Sequence, residues 1–226
     1  MSVWGQISLN NGCSVTMLHI EEIHDWVMVV VILIVVLITL LMMNIVSMPS
    51  CNLTYSSDES LEFFWVLIPS ISLFTIAIPS LHCLYLMEEV YSPGSTMKVI
   101  GHQWFWSYEY GGLDGISFES YLDSSNTSPS SPRLLSVDNE VCLPFNVEVR
   151  VLVSSADVLH SWAIPSLGVK IDAIPGRINQ VSIWPKKIGA YYGQCSEMCG
   201  SLHSFMPIQV SVLPFTAFTL WIKLFS

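Results

Sequence analysis

Positive charge is the scarcest commodity in this chain. Only 8 of its 226 residues are Lys or Arg, against 18 Asp and Glu, and none of the eight precedes Lys98. With a net charge of −10 and no basic run, the chain has no electrostatic footprint for a phosphate backbone, which excludes nucleic-acid binding. Between Met1 and Asp25 there is no Lys or Arg at all, so neither a secretory leader nor an arginine-rich transit peptide is expected there and the segment reads as mature sequence. Also missing are an internal repeat, a glycine-rich phosphate loop and a Ser/His/Asp arrangement, which removes nucleotide-phosphate chemistry and triad hydrolysis from consideration.

Charge of either sign is rare. Charged residues make up 12% of the chain and apolar residues 52%, with a mean hydropathy of +0.55. That is too apolar for an ordinary soluble domain and too varied for a pure membrane bundle. Two runs concentrate the apolar residues. From Trp26 to Val46 the polar members are Thr39 and Asn44, and from Phe63 to Met87 there is no formal charge. At about 1.5 Å per residue, each can cross a hydrocarbon core of about 30 Å. A buried core helix seldom needs more than about 14 continuous apolar residues. The expected organisation is an N-terminal segment over 1–25, membrane helices over 26–46 and 61–87 joined by a loop over 47–60, and an outer domain over 88–226. Pro69 and Pro79 would break a helix in water. In lipid they are tolerated where neighbouring helices satisfy the freed carbonyls, which with Ser70, Ser72, Thr75, Ser80 and His82 points to packing against a larger partner.

Beyond Glu88 the pattern turns to alternation. Val147, Val149, Val151 and Val153 fall on one face with Glu148 and Arg150 on the other, and Ile208, Val210 and Val212 repeat the device. Pro165, Gly168, Pro175, Gly176, Pro185 and Gly189 punctuate these half-buried strands, as in an all-β sandwich. Residues 122–132 read as a loop rich in turn residues, and Phe215 to Leu224 as a short helix or a surface tail. Asn52 and Asn126 fit the glycosylation pattern, although no modification is expected at either.

The chemistry lies near the end of the chain. Cys195, Cys199, His203 and Met206 fall within one short stretch, and His160 is the candidate for a further ligand. Thiolate, imidazole and thioether are the soft donors that select copper, and Met beside His and Cys marks copper tuned for redox. A mononuclear site needs one Cys, whereas two thiols four residues apart can face one cavity and bridge two metal ions, spreading an electron over both. Two Cys and two His also suit tetrahedral zinc, but that leaves Met206 without a role. A Cys195–Cys199 disulfide is a further alternative in an oxidising compartment.

Cys195-Ser196-Glu197-Met198-Cys199 with His203 and Met206, preceded by Val158-Leu159-His160-Ser161-Trp162, resembles subunit II of the mitochondrial cytochrome c oxidase. Gly101 to Tyr110, Ile164 to Gly168, Asp172 to Arg177 and Tyr191 to Gln194 follow in the family's order, so the resemblance covers nearly the whole chain. It implies a two-helix transmembrane hairpin followed by a Greek-key, cupredoxin-like β-sandwich. It also implies two copper ions in a centre called CuA, ligated by His160, Cys195, Cys199, His203, Met206 and the Glu197 carbonyl, with the Glu197 carboxylate reaching a magnesium shared with subunit I. Trp104 becomes the point where electrons enter from a docked haem, and Glu62 the mouth of a proton path into subunit I. The expected partners are subunit I and the other oxidase subunits, cytochrome c and the lipid of the mitochondrial inner membrane.

Charge bears on two of these expectations. Because every Lys and Arg follows the second run, the positive-inside rule favours an inner location for the large domain, whereas the resemblance places it in the intermembrane space. Long domains translocate largely regardless of charge, so the resemblance prevails. Glu109, Asp114, Glu119, Asp123, Asp138 and Glu140 face Arg133 alone between 109 and 140, and with Asp157 they suit a field that steers a basic partner such as cytochrome c. Leu202, Met198 and His82 depart from the family pattern; the first two are expected near the ligands, and Cys13, Cys51, Cys83 and Cys142 read as unpaired small residues. A membrane-anchored copper carrier is the competing function, but it would have no use for Trp104 or the acids. A quinol oxidase subunit would lack the copper ligands.

Overall fold

Helix α1 (Val15–Ser47) and helix α2 (Glu59–Glu88) carry the two apolar runs. The computed structural model describes residues 5–49, 54, 56–90, 92–112, 116–124 and 132–225. These form two compact units, Ile20–Tyr85 and Met1–His19 with Leu86–Ser226. Asp58 caps α2, its Oδ1 accepting from the backbone N–H groups of Ser60 (3.0 Å) and Leu61 (3.3 Å), and Glu59 and Glu62 in the first turn complement the helix dipole. Side-chain hydroxyls and amides along the spans bond their own helix: Thr39 to the Val35 carbonyl, Asn44 to Leu40, Ser70 to Val66, Ser72 to Ile68 and Ser80 to Ile76, all within 2.9 Å. Each of these donors is thus satisfied within its own helix, which is what an apolar solvent requires. Among described residues, Met17 is the buried side chain of α1 and Cys83 that of α2. Helix α1 starts well before Trp26, because Ser14 caps it by accepting from the Met17 N–H at 3.1 Å.

Among the described residues, ten strands build the other unit. They are β1 (Ser95–His102), β2 (Phe105–Gly111), β3 (Ser117–Ser120), β4 (Val141–Pro144), β5 (Val149–Ser155), β6 (His160–Ile164), β7 (Val169–Ala173), β8 (Asn179–Ile183), β9 (Gly189–Gln194) and β10 (Pro207–Leu213). One sheet runs β3-β2-β1-β5-β8, a second β4-β10-β9, and β6 pairs with β7. Strand β5 lies parallel to β1, with Ser95 opposite Val149 and Gly101 opposite Ser155. Alternation fills the core: Val149, Val151 and Val153 of β5 are at most 1% exposed, and Ile208, Val210 and Val212 of β10 are fully buried. Burial of side chains of this size is worth roughly 1.5–3 kcal/mol each.

Strand β2 buries Trp106, Tyr108 and Tyr110 on one face. Their polar atoms are matched inside the core. The Tyr110 hydroxyl donates to the Cys142 carbonyl at 2.8 Å and accepts from its N–H at 3.1 Å, while Trp162 Nε1 donates to the Tyr108 hydroxyl at 3.3 Å. Helix α3 (Phe215–Phe225) closes this end, burying Phe218 and setting Trp221 5.4 Å from the Tyr110 ring centroid. The N-terminal residues join the same unit, where Ser14 Oγ donates to the Leu167 carbonyl at 2.6 Å and the Cys13 N–H to that of Ser166 at 3.0 Å.

Candidate metal centre

The pair β9–β10 closes at Gln194 opposite Pro207, so residues 195–206 form the loop between them, while His160 is the first residue of β6. What joins the two is a close backbone crossing. A Cβ at residue 193 would stand 1.9 Å from the Ala163 carbonyl oxygen, so only glycine lets β9 lie against β6. The Ser196 N–H then donates to the Ser161 carbonyl at 3.0 Å, which ties the base of the cysteine loop to the histidine strand.

The donors converge as a result. Cys195 Sγ lies 4.0 Å from Cys199 Sγ, 3.9 Å from His160 Nδ1 and 3.4 Å from the Glu197 carbonyl. Cys199 Sγ lies 3.4 Å from His203 Nδ1 and 3.5 Å from Met206 Sδ. His160 is fully buried, Met206 is 1% exposed, and both cysteines are buried. Trp106 seals the inner side, with its indole edge-on to the His160 ring at 5.9 Å and its Nε1 donating to the Met206 carbonyl at 3.4 Å.

His160 presents Nδ1 because its Nε2 is taken by Asp157 Oδ1 at 2.8 Å. Burial alone would lower the His160 pKa, but contact with Cys195 and Asp157 raises it overall; Asp157 is lowered, with burial opposed by His160 and by the N–H groups of Val158 and Gln103. The two thiols diverge. Burial opposes ionisation of Cys195, yet His160, the backbone at Glu197 and Ser161, and His203 bring it down to about 6, whereas burial and the neighbouring Cys195 push Cys199 up to about 12.

Trp104 lies in the turn between β1 and β2, not in the strand that buries Trp106, and it is half-buried. Gln103 beside it donates from Nε2 to the Cys199 carbonyl at 2.7 Å. Of the acids named from the sequence, Glu109 pairs with Lys98 at 3.2 Å, Glu119 accepts from the Tyr121 hydroxyl at 2.7 Å, and Asp138 accepts from the Tyr121 N–H at 2.8 Å. Ser107 faces Glu119 and Glu109 faces Ser117 in the β2–β3 register, which puts both glutamates on the outer face. Asp114 lies outside the described residues. Glu140 turns to Gln209 and Ser211, each at 2.7 Å. Met198 and Leu202, both on the 195–206 loop, are 73% and 45% exposed. Glu197 is exposed on the same loop, and Glu62 is exposed in the first turn of α2. Sequence reasoning missed Gly193 and Gln103, and it gave Asp157 to the outer surface without its link to His160. Its only signal in the sequence was a place three residues before that histidine.

Residues 95–213 match the family described as cytochrome C oxidase subunit II, periplasmic domain, and residues 2–83 match its transmembrane domain. The chain belongs to the cytochrome c oxidase subunit II family. It is 47% identical over 224 residues to cytochrome c oxidase subunit 2 of Oncopeltus fasciatus, covering 99% of this chain and 98% of the relative. To the protein of the same name from Aedes aegypti it is 44% identical, with the same coverage. Among solved structures, the periplasmic domain of subunit II of cytochrome oxidase from Bradyrhizobium japonicum is 44% identical, covers 61% of this chain and 96% of that domain, and superposes with a TM-score of 0.57. A mixed disulfide intermediate between a thioredoxin-like protein and subunit II of cytochrome c oxidase is 43% identical, with a TM-score of 0.54, covering 62% of this chain and 98% of that one. Membership makes the chain the electron-entry subunit of a cytochrome c oxidase, an oxidoreductase complex whose other subunits are its partners, and makes its β-sandwich cupredoxin-like. The cluster of His160, Cys195 and Cys199 fits copper.

Proposed function

We propose that the loop over 195–206 and His160 together hold two copper ions as the CuA centre, which takes electrons from cytochrome c and passes them to subunit I. The observation that carries this is Met206: a thioether 1% exposed and 3.5 Å from Cys199 has no use in a zinc site and suits copper. When bound, the copper pair would supply a site that takes up and gives out one electron at a time. Cys195 and Cys199 would hold it through their thiolates, His160 and His203 through imidazole nitrogens, Met206 through its weak thioether and Glu197 through its carbonyl. Asp157 fixes the His160 ring, while Trp106 and the buried strands exclude water.

Electrons enter at Trp104, whose π-system is half-exposed next to the ligand loop. Glu109, Asp114, Glu119, Asp138 and Asp157 attract a basic haem protein, speeding encounter while leaving the complex short-lived. The exposed Glu197 carboxylate would help hold the magnesium shared with subunit I, and Glu62 would open a proton path into that subunit. The helices over 26–46 and 61–87 cross the mitochondrial inner membrane, with residues 1–25 and the CuA domain over 88–226 in the intermembrane space and residues 47–60 in the matrix. The apolar outward surfaces of α1 and α2 and their internally satisfied hydroxyls support this placement. The test is Cys195→Ser in the assembled oxidase. Loss of the binuclear spectrum and of electron entry is expected; a binuclear spectrum that survives would overturn the ligand assignment.

A further inference from the structure

The β1–β2 pair closes at His102 opposite Phe105, so Gln103 and Trp104 form a tight turn outside the ladder. No hydrogen bond anchors the indole: Trp104 Nε1 is buried yet has no partner among the described residues. What defines its position is the backbone at Gly200. A Cβ there would lie 3.1 Å from Trp104 Cζ2, 3.2 Å from its Nε1 and 3.1 Å from Gln103 Nε2, and the φ of +125° at residue 200 is one that side-chain-bearing residues rarely adopt.

Gln103 ties the same turn to both ligand-bearing segments. Its Nε2 donates to the Cys199 carbonyl at 2.7 Å, and its backbone N–H donates at 2.6 Å to Asp157 Oδ2. The other oxygen of Asp157 receives His160 Nε2 at 2.8 Å. A continuous bridge therefore runs from the carbonyl of one thiol ligand, through Gln103 and Asp157, to the ring of the histidine ligand, and Trp104 is the next residue along. On the assignment of Trp104 as the entry residue, we infer that Gln103 and Gly200 are positioning residues for electron entry, holding the indole against the backbone of the ligand loop. One electron leaves the reduced haem donor and arrives at the site the loop holds, with no bond made or broken and no proton moved. The step is limited by the approach of the ring to the loop, which Gly200 permits and Gln103 maintains.

The test uses the assembled oxidase bearing Gln103→Met, Gly200→Ala or Trp104→Phe, with a reduced haem protein as donor. Gln103→Met keeps the length of the side chain and removes its donor; it covers the case in which Gly200→Ala fails to assemble. Both variants should lower the entry rate from bound donor by about tenfold or more while the donor KM stays the same. Copper content and the electron paramagnetic resonance spectrum should be unchanged, and a cryo-electron microscopy map of Gly200→Ala should show the indole displaced from residue 200. Full entry rates in Gln103→Met and Gly200→Ala, with Trp104→Phe slow, would overturn the positioning role alone. A full rate in Trp104→Phe would overturn the entry assignment as well. Loss of copper in Gln103→Met would make the residue a support of the ligand loop and would also overturn the inference.

Discussion

Cys195 and Cys199 stand 4.0 Å apart with their thiol pKa values shifted in opposite directions, and on the proposed copper assignment this difference sets the pH dependence of metal uptake. The folded Cys195 pKa of about 6 lies below the ordinary thiol value of 9.0, so its ionisation contributes stability to the metal-free protein that is fully present above 9.0 and lost as pH falls through about 6. Cys199, pushed up to about 12, keeps its proton until metal displaces it. Copper uptake is therefore expected to release more protons per chain below the Cys195 pKa than above it, and to weaken as pH falls through that value; indicator-dye titration of metal-free protein measures both. Asp157 acts on the same ligands from outside. Removing its carboxylate in Asp157→Ala should lower copper affinity by about 10–100-fold, whereas Glu109→Gln should leave affinity unchanged and alter only the encounter with the donor. Competition with a copper chelator reads the difference. That His160, Cys195, Cys199, His203 and Met206 gather in one place was legible in the sequence from their residue types and spacing, but the Asp157 link was not, since an acid near a histidine is equally at home on a solvated face.

At the scale of elements, the site exists because β9 crosses β6 at Gly193. Gly193→Ala places a methyl group 1.9 Å from the Ala163 oxygen, so the two strands must part and the donor sets with them. Loss of copper at normal α1 and α2 insertion is expected, measured by metal content after membrane extraction. The alternating strands could be read in advance because Val149, Val151 and Val153, and Ile208, Val210 and Val212, keep the period of two that a pleated strand imposes. The start of α1 could not: His19, Glu21, Glu22 and Asp25 sit in its first turns without apolar periodicity, and the Ser14 cap is a local hydrogen bond rather than a pattern. Trp104 shows a third case. Alternation groups it with Trp106, Tyr108 and Tyr110, but the hairpin turn between β1 and β2 takes it out of the ladder and leaves it beside the ligand loop. The C-terminal stretch is similar, since Phe218 and Trp221 find their partners in Tyr110 and Phe118, far away in sequence.

For the whole molecule, charge divides the labour. The β-sandwich unit exposes Glu109, Glu119 and Asp138 with few cations nearby, while both long helices expose apolar side chains along their spans. Electron entry from a basic donor should fall by roughly tenfold or more between low and high ionic strength, as stopped-flow mixing would record, and a rate independent of salt would remove the steering role. The central claim is narrower than docking: two thiolates hold a pair of coppers that share one electron. It is tested most directly by counting copper in the assembled protein and recording its electron paramagnetic resonance spectrum. Two coppers per chain, with hyperfine structure from one electron spread equally over both nuclei, are expected. A single copper with a localised signal, or zinc with none, would contradict the account.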